Sequence, residues 1–372
     1  MSYKDTLDTL RQTGNFRTIP HGGANGEIVD LSLNDYLGLA TRKDLQAEFF
    51  DNEENRRIAM TSSAARLLAA DQEQYSLLEE RLQSLYGGKK ALLFNSGYHA
   101  NTGLISALAS EKGTLIVADK LVHASMIDGI VLSKAPFQRF IHNDFNRLES
   151  ILKKEHDRWE RIIVAVESVY SMDGDRTSLD ALIDLKKRYG NVMLYVDEAH
   201  AFGALGKRGL GLCAEHEDFE DIDVTVGTFG KACASSGAFA VMNAELRDYA
   251  INRSRSFIFS TALPPMSCAW TRFMIDTFTG MEEERRHLHE LGRRVAEAAG
   301  FTESRYIVPV IAGSAAKAIE MSKKLLERGF KVLPIRTPTV PPGTERIRIS
   351  LNAAMSDAQA DSFITALDEI RE

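Results

Sequence analysis

The sequence predicts an α/β protein with a large, mostly parallel sheet and a smaller C-terminal α+β domain, on three observations. Short apolar runs bounded by turn residues recur: ALLFN (91–95), TLIVAD (114–119), RIIVAVES (161–168), VMLYVDEAH (192–200), DVTVGT (223–228) and GAFAVM (237–242). Most are separated by stretches of helical periodicity such as ANTGLISALAS, HASMIDGIVLS and SLDALIDLKKRYG, the written form of strand–helix–strand units. After Pro264-Pro265 the texture changes to a long helical stretch, about 266–298, then YIVPVI, a helix near 314–328, KVLPI, RIRISL and a last helix. The expected organisation is an N-terminal arm over 1–44, a large domain over 45–265 and a small domain over 266–372.

At 372 residues, with 44% hydrophobic and 26% charged side chains, the chain is long enough to bury a deep site. A net charge of −7 argues against a nucleic-acid or anionic-membrane partner, since either would need a basic stripe, so an anionic ligand must be held by a local cluster. Cys213, Cys233 and Cys268 form no CxxC pair, which indicates neither a disulfide framework nor a thiolate metal site. The polar N-terminal MSYKDTLDTLRQTG and the lack of long apolar runs lead us to expect a cytoplasmic protein.

In an open α/β sheet, ligands gather at the carboxyl ends of the strands, so the residues after each apolar run are the candidates. Asn95-Ser96-Gly97-Tyr98 opens a helix after ALLF, and its N–H groups with the helix dipole suit a phosphate, although strand-to-helix turns are common. Asp197 ends VMLYVD with His200 three residues on. Metal ligation is the weaker reading there because no further His or Cys cluster lies nearby in sequence, and a structural cap is an ordinary alternative. His123 opens a helix, as a plain helix-start residue would. Glu167 through Asp175 reads as a polar loop ending in a Gly turn. Arg346 and Arg348 share one face of a strand by alternation, for which a solvated edge is the usual explanation.

Lys231 is the strongest single residue. It stands in GTFGKACASSG between two apolar runs, where desolvation would favour the neutral, nucleophilic amine that a Schiff-base lysine needs. A phosphate cradle, an Asp, a His and a lysine at successive strand ends are complementary: pyridoxal phosphate requires a lysine for its aldehyde, a carboxylate for its ring nitrogen, a donor for its phenolic oxygen and N–H groups for its phosphate.

At these residues the sequence resembles the α-oxoamine synthases, fold-type I pyridoxal-phosphate enzymes that condense an amino acid with an acyl thioester and lose CO2. The resemblance runs nearly end to end through NDYLGLA, FNSGYHAN, HASMIDG, HNDFNRLE, ESVYSMDGD, VDEAHAFGALGKRGLG, GTFGKA, FSTALPP and IRTPTVPPGTERIRISL. It implies that Lys231 carries the cofactor covalently, that Asp197 pairs with the ring nitrogen and His200 with the phenolic oxygen, and that His123 stacks on the ring. Phosphate contacts would come from Gly97, Tyr98 and Thr228, with Thr261 reaching in from the other subunit of a homodimer. Ser171 and Glu167 would line the substrate side, and Asn34 and Arg348 would hold the amino-acid carboxylate. Three departures bear on the acyl substrate: Thr61-Ser62-Ser63-Ala64-Ala65-Arg66 replaces a Gly-rich GSGGSR, Tyr75 stands where a His is common, and Met355 replaces another His.

Two rivals remain at this point. A dinucleotide-dependent oxidoreductase would need G-x-G-x-x-G after the first strand, whereas the glycines of Gly206-Lys207-Arg208-Gly209-Leu210-Gly211 follow a later one. A non-catalytic partner subunit would have no use for Lys231, Asp197 and His123 together.

Overall fold

Residues 2–19 and 28–371 are described in the computed structural model. They form twelve strands: β1 (Val29–Asp30), β2 (Lys90–Phe94), β3 (Thr114–Asp119), β4 (Phe137–Phe140), β5 (Arg161–Glu167), β6 (Val192–Asp197), β7 (Val224–Thr228), β8 (Ala238–Met242), β9 (Ile307–Ile311), β10 (Phe330–Lys331), β11 (Leu333–Ile335) and β12 (Arg346–Ser350). The chain divides into two compact units, one of residues 37–170 and 175–282, the other of 1–36, 171–174 and 283–372. Of the N-terminal arm expected over 1–44, residues 20–27 lie outside the described residues.

The larger unit is built on a seven-stranded sheet in the order β2-β8-β7-β6-β5-β3-β4. β3, β3's neighbours β4 and β5, and then β6 and β7 pair in parallel, and only β8 runs against its neighbours β2 and β7. The reversal of GAFAVM has a simple cause. The loop between Thr228 and Ala238 carries Lys231 but no helix, and a parallel return needs a crossover of a dozen or more residues. β4 is absent from the apolar runs because FQRF lies at the sheet edge with only Phe140 buried. The continuous runs of β3, β5 and β7 are buried on both faces, as a helix-covered parallel sheet requires. Ile116, Ile163, Ala165, Val224 and Val226 form the centre of that core with Leu104, Ile105 and Met126 from the covering helices. Truncating Ile163 to Ala there should cost about 2–5 kcal/mol.

The helix Pro265–Phe278 belongs to this larger unit although the change in sequence texture begins at the prolines. Cys268, Ala269, Thr271, Met274, Ile275 and Phe278 form its buried face. The smaller unit holds a three-stranded antiparallel sheet, β11-β12-β9, and a two-stranded parallel pair of β1 with β10. Among the described residues no helix is long and apolar enough to cross a membrane.

Candidate active site

Because the helices follow strands that run in one direction, β2, β3, β5, β6 and β7 deliver their C-terminal residues to one edge of the sheet. There the structure gathers most of the residues named from the sequence.

Asp197 ends β6 and is 4% exposed. Its Oδ1 accepts the Ala199 N–H at 2.8 Å and its Oδ2 accepts from Asn101 Nδ2 at 2.6 Å. The turn that follows brings back His200, whose Nε2 lies 2.9 Å from Lys231 Nζ on the loop after β7. Glu167 ends β5 directly beside Asp197 in register, so two carboxyls share one stretch of buried sheet. Burial, and then the Asp197 charge, pushes Glu167 well above the usual carboxylate range, and its buried Oε1 has no hydrogen-bond partner.

His123 caps the helix Ala124–Ser133, its Nδ1 accepting the Ser125 N–H at 3.2 Å. The helix-start reading therefore holds for this residue, and the cap leaves its ring beside Asp197 and Lys231. Burial, with Lys231 nearby, holds the imidazole below its ordinary value against the pull of Asp197.

Gly97 is the first residue of the helix Gly97–Leu108, capped by Ser96, whose hydroxyl accepts the His99 N–H. A Cβ on Gly97 would stand 3.7 Å from Thr228 Cβ, so the helix start and the end of β7 abut. Thr228 donates to the Gly237 carbonyl and accepts from the Gly230 N–H. Tyr98 is half exposed and its phenol donates to Asp128. Thr261 forms an antiparallel bridge with Ala65, and Asn95 Nδ2 donates to its carbonyl at 2.6 Å. The same loop is held by Tyr75, a buried phenol donating to the Leu263 carbonyl at 2.6 Å.

Asn34, Ser171 and Arg348 meet within the smaller unit. Arg348 donates from Nε to the Ser171 carbonyl at 2.6 Å, from Nη1 to Ser350 Oγ at 2.6 Å and from Nη2 to Asn34 Oδ1 at 3.0 Å. Arg346 is tied instead to Asp173 at 2.5 Å. The solvated-edge explanation for the arginine pair does not hold: β12 is the central strand of its sheet, and both side chains are buried.

Sequence reasoning missed the buried polar groups behind these residues. Asn101 lies on the inner face of its helix and Tyr195 inside an apolar run, and only a polar residue amid apolar neighbours could have signalled either. It also missed His142, whose Nδ1 lies 3.0 Å from Asp119 and whose Nε2 lies 2.7 Å from Asp175. The glycines of 206–211 shape a tight turn. A Cβ on Gly211 would fall 2.2 Å from Glu198 Oε2, and that carboxylate accepts the Leu212 and Cys213 N–H groups, folding the loop onto the sheet.

A family model for aminotransferase class I and II matches residues 26–367. A Pasteurella multocida chain whose name places it with the 8-amino-7-oxononanoate synthases is 46% identical over all of this chain and 99% of its own length. The 8-amino-7-oxononanoate synthase of Chlorobaculum parvum is 42% identical over 98% of this chain and 97% of its own. A serine palmitoyltransferase variant from S. paucimobilis, solved with a pyridoxal-phosphate–myriocin aldimine, superposes with a TM-score of 0.85 at 29% identity, covering 92% of this chain and 87% of the other.

The residues present fit pyridoxal phosphate. An amine at Lys231, an acceptor-only carboxylate at Asp197, an imidazole at His200 and a helix start pressed against Thr228 offer one group for each polar part of that molecule. The chain belongs to the aminotransferase class I and II family and, within it, to the α-oxoamine synthases.

Proposed function

We propose that the protein is a pyridoxal-phosphate-dependent acyltransferase that condenses L-alanine with a pimeloyl thioester, with loss of CO2, to give 8-amino-7-oxononanoate for biotin synthesis. The observation that carries this reading is the approach of Lys231 to His200 beside Asp197, in a chain alike from end to end to synthases of that name. The segment IRTPTVPPGTERIRISL favours that member of the family over glycine C-acetyltransferase.

When bound, the cofactor supplies the electron sink for a carbanion at the amino-acid α-carbon. The chain's part is placement and proton control. Lys231 would hold the cofactor through its Nζ, and the same amine, when free, would take or relay the α-proton. Asp197 would keep a proton on the ring nitrogen through its carboxylate, and His200 would orient the phenolic oxygen. His123 would stack on the ring. The N–H groups at Gly97 and Tyr98, with Thr228, would receive the phosphate, and Thr261 would add a donor from the second chain of a homodimer. By the family resemblance, Glu167 and Ser171 would line the substrate side, and Asn34 and Arg348 would hold the amino-acid carboxylate. Free, buried Cys213, Cys233 and Cys268 suit the reducing cytoplasm that this reading implies.

The test is to incubate the purified protein with pimeloyl-CoA or pimeloyl carrier protein and alanine, glycine or serine in turn, and to follow products by mass. 8-Amino-7-oxononanoate formed from alanine is expected. Turnover of glycine or serine with a different thioester, and none of alanine, would replace this reading with another α-oxoamine synthase activity.

A further inference from the structure

Behind the candidate site runs a chain of buried polar groups that the proposed chemistry does not use directly. Tyr195 OH lies 2.8 Å from Asn101 Oδ1, Asn101 Nδ2 lies 2.6 Å from Asp197 Oδ2 and 2.9 Å from Ser125 Oγ, and Ser125 Oγ lies 2.7 Å from His123 Nδ1. Tyr195, Asn101 and Ser125 are each at most 1% exposed. Helix packing holds the chain in place: a Cβ on Gly129 would fall 2.8 Å from the Asn101 carbonyl oxygen, so the two helices carrying Asn101 and Ser125 are in direct main-chain contact.

We infer that Asn101 and Ser125 are positioning residues that fix Asp197 as an acceptor at one end and His123 as the neutral tautomer protonated on Nε2 at the other. The inference rests on the proposed function only in taking those two side chains as catalytic groups.

Two fixed ends determine the order of protons between them. An ionised carboxylate only accepts, so the amide of Asn101 must turn its NH2 toward Asp197, and its oxygen then takes the Tyr195 proton. Burial and the Asp197 charge raise the Tyr195 phenol well above its ordinary value, so it keeps a proton to donate. The second amide hydrogen goes to Ser125 Oγ, whose own proton is left for His123 Nδ1. At the far end the Ser125 main-chain N–H also points at Nδ1, from 3.2 Å. That N–H cannot be reversed, and together with the shorter bond from the hydroxyl that Asn101 orients it makes Nδ1 the acceptor. The opposite arrangement, with the amide flipped and Nδ1 donating to Ser125, would set this N–H against a second N–H. The charged or titratable groups facing His123 are Asp197 from β6, Lys231 from the loop after β7, Asp128 on its own helix and Glu167, whose carboxyl meets the His123 main-chain N–H.

The experiment is nitrogen-15 NMR of the imidazoles in the full-length, cofactor-bearing protein labelled at histidine, with His123 identified by its loss in His123→Asn. At pH 7 His123 should carry one proton, on Nε2. Ser125→Ala removes a hydrogen bond to the neutral form and should raise the His123 protonation midpoint by about one pH unit, while Ser125→Thr, which keeps the hydroxyl, restores it. Asn101→Leu should free the serine hydroxyl to turn and give both tautomers, the His142 signals reporting an unchanged fold. A His123 proton on Nδ1 in the wild type would overturn the inference, as would a midpoint in Ser125→Ala equal to the wild-type value. Both measurements stand if Asn101→Leu does not fold. Neither depends on the product formed, so an absence of 8-amino-7-oxononanoate would refute the proposed function alone.

Discussion

Lys231 Nζ and His200 Nε2 lie 2.9 Å apart, although the two residues come from loops after different strands, β7 and β6. That contact places the amine at the one edge where the sheet also presents Asp197. Lys231→Ala should abolish the borohydride-reducible link to the cofactor and lower turnover by about 10²–10⁴-fold or more, since the proposed function makes this amine both anchor and base. Absorbance and mass of the reduced protein check the first part, and product formation the second.

Asp197→Asn should bind the cofactor and lose turnover by about 10²–10³-fold, because an amide cannot hold a proton on the ring nitrogen as a carboxylate does. Parallel titrations of cofactor binding and product formation separate the two effects. Full turnover in the variant would mean that another group serves the nitrogen.

If Thr261 completes a site on the other chain of a homodimer, mixing Lys231→Ala chains with Thr261→Val chains should restore activity. Each hybrid has one site with both residues intact and one with neither, so about half the wild-type activity per hybrid dimer is expected from two-fold symmetry. Hybrids verified by native mass that remain as inactive as their parents would refute sharing.

His142 should stay charged well above neutral pH. Burial opposes the charge, but hydrogen bonds to Asp119 and Asp175 and their charges raise its value from 6.5 to about 10. A histidine raised on folding contributes stability in full below its unfolded value and loses it as pH rises through the folded one, so this contribution should fade between about pH 7 and 10. Melting temperature against pH checks it: His142→Gln should be less stable than wild type at pH 6, and the gap should narrow toward pH 10.

Glu198 is raised to about 7, first by burial, with the Leu212 and Cys213 hydrogen bonds working against that rise. A carboxyl raised on folding makes stability fall as pH rises from about 4.5 through 7. Glu198→Gln keeps an acceptor for the loop N–H groups and should flatten that slope, matching or exceeding wild-type stability at pH 8 in denaturant titrations. Gly211→Ala should be strongly destabilised, since its φ of +90° and the nearby carboxylate leave no room for a methyl group.

The large sheet was legible in the sequence because both-face burial writes each central strand as an unbroken apolar run. β4 was not, since an edge strand such as FQRF is half polar, and the reversed direction of β8 follows from the length of a loop rather than from its own residues. Arg346 and Arg348 were correctly put on one face by alternation, yet their burial depended on β9 and β11 pairing on either side of β12.

By itself, the sequence determined which reactive side chains follow which strands: Gly97 after β2, His123 after β3, Glu167 at β5, Asp197 and His200 at β6, Lys231 after β7. Strand ends are local features, written in turn residues and apolar periodicity. Only the tertiary structure decided what those side chains touch. The order β7-β6-β5-β3 is a long-range outcome that sets Lys231 against His200 and Glu167 beside Asp197. The approach of two helices at Gly129 brings Asn101 between Asp197 and Ser125. Such contacts join residues up to about a hundred positions apart, and a hydrogen bond's partner is set by packing in three dimensions, which no local pattern encodes.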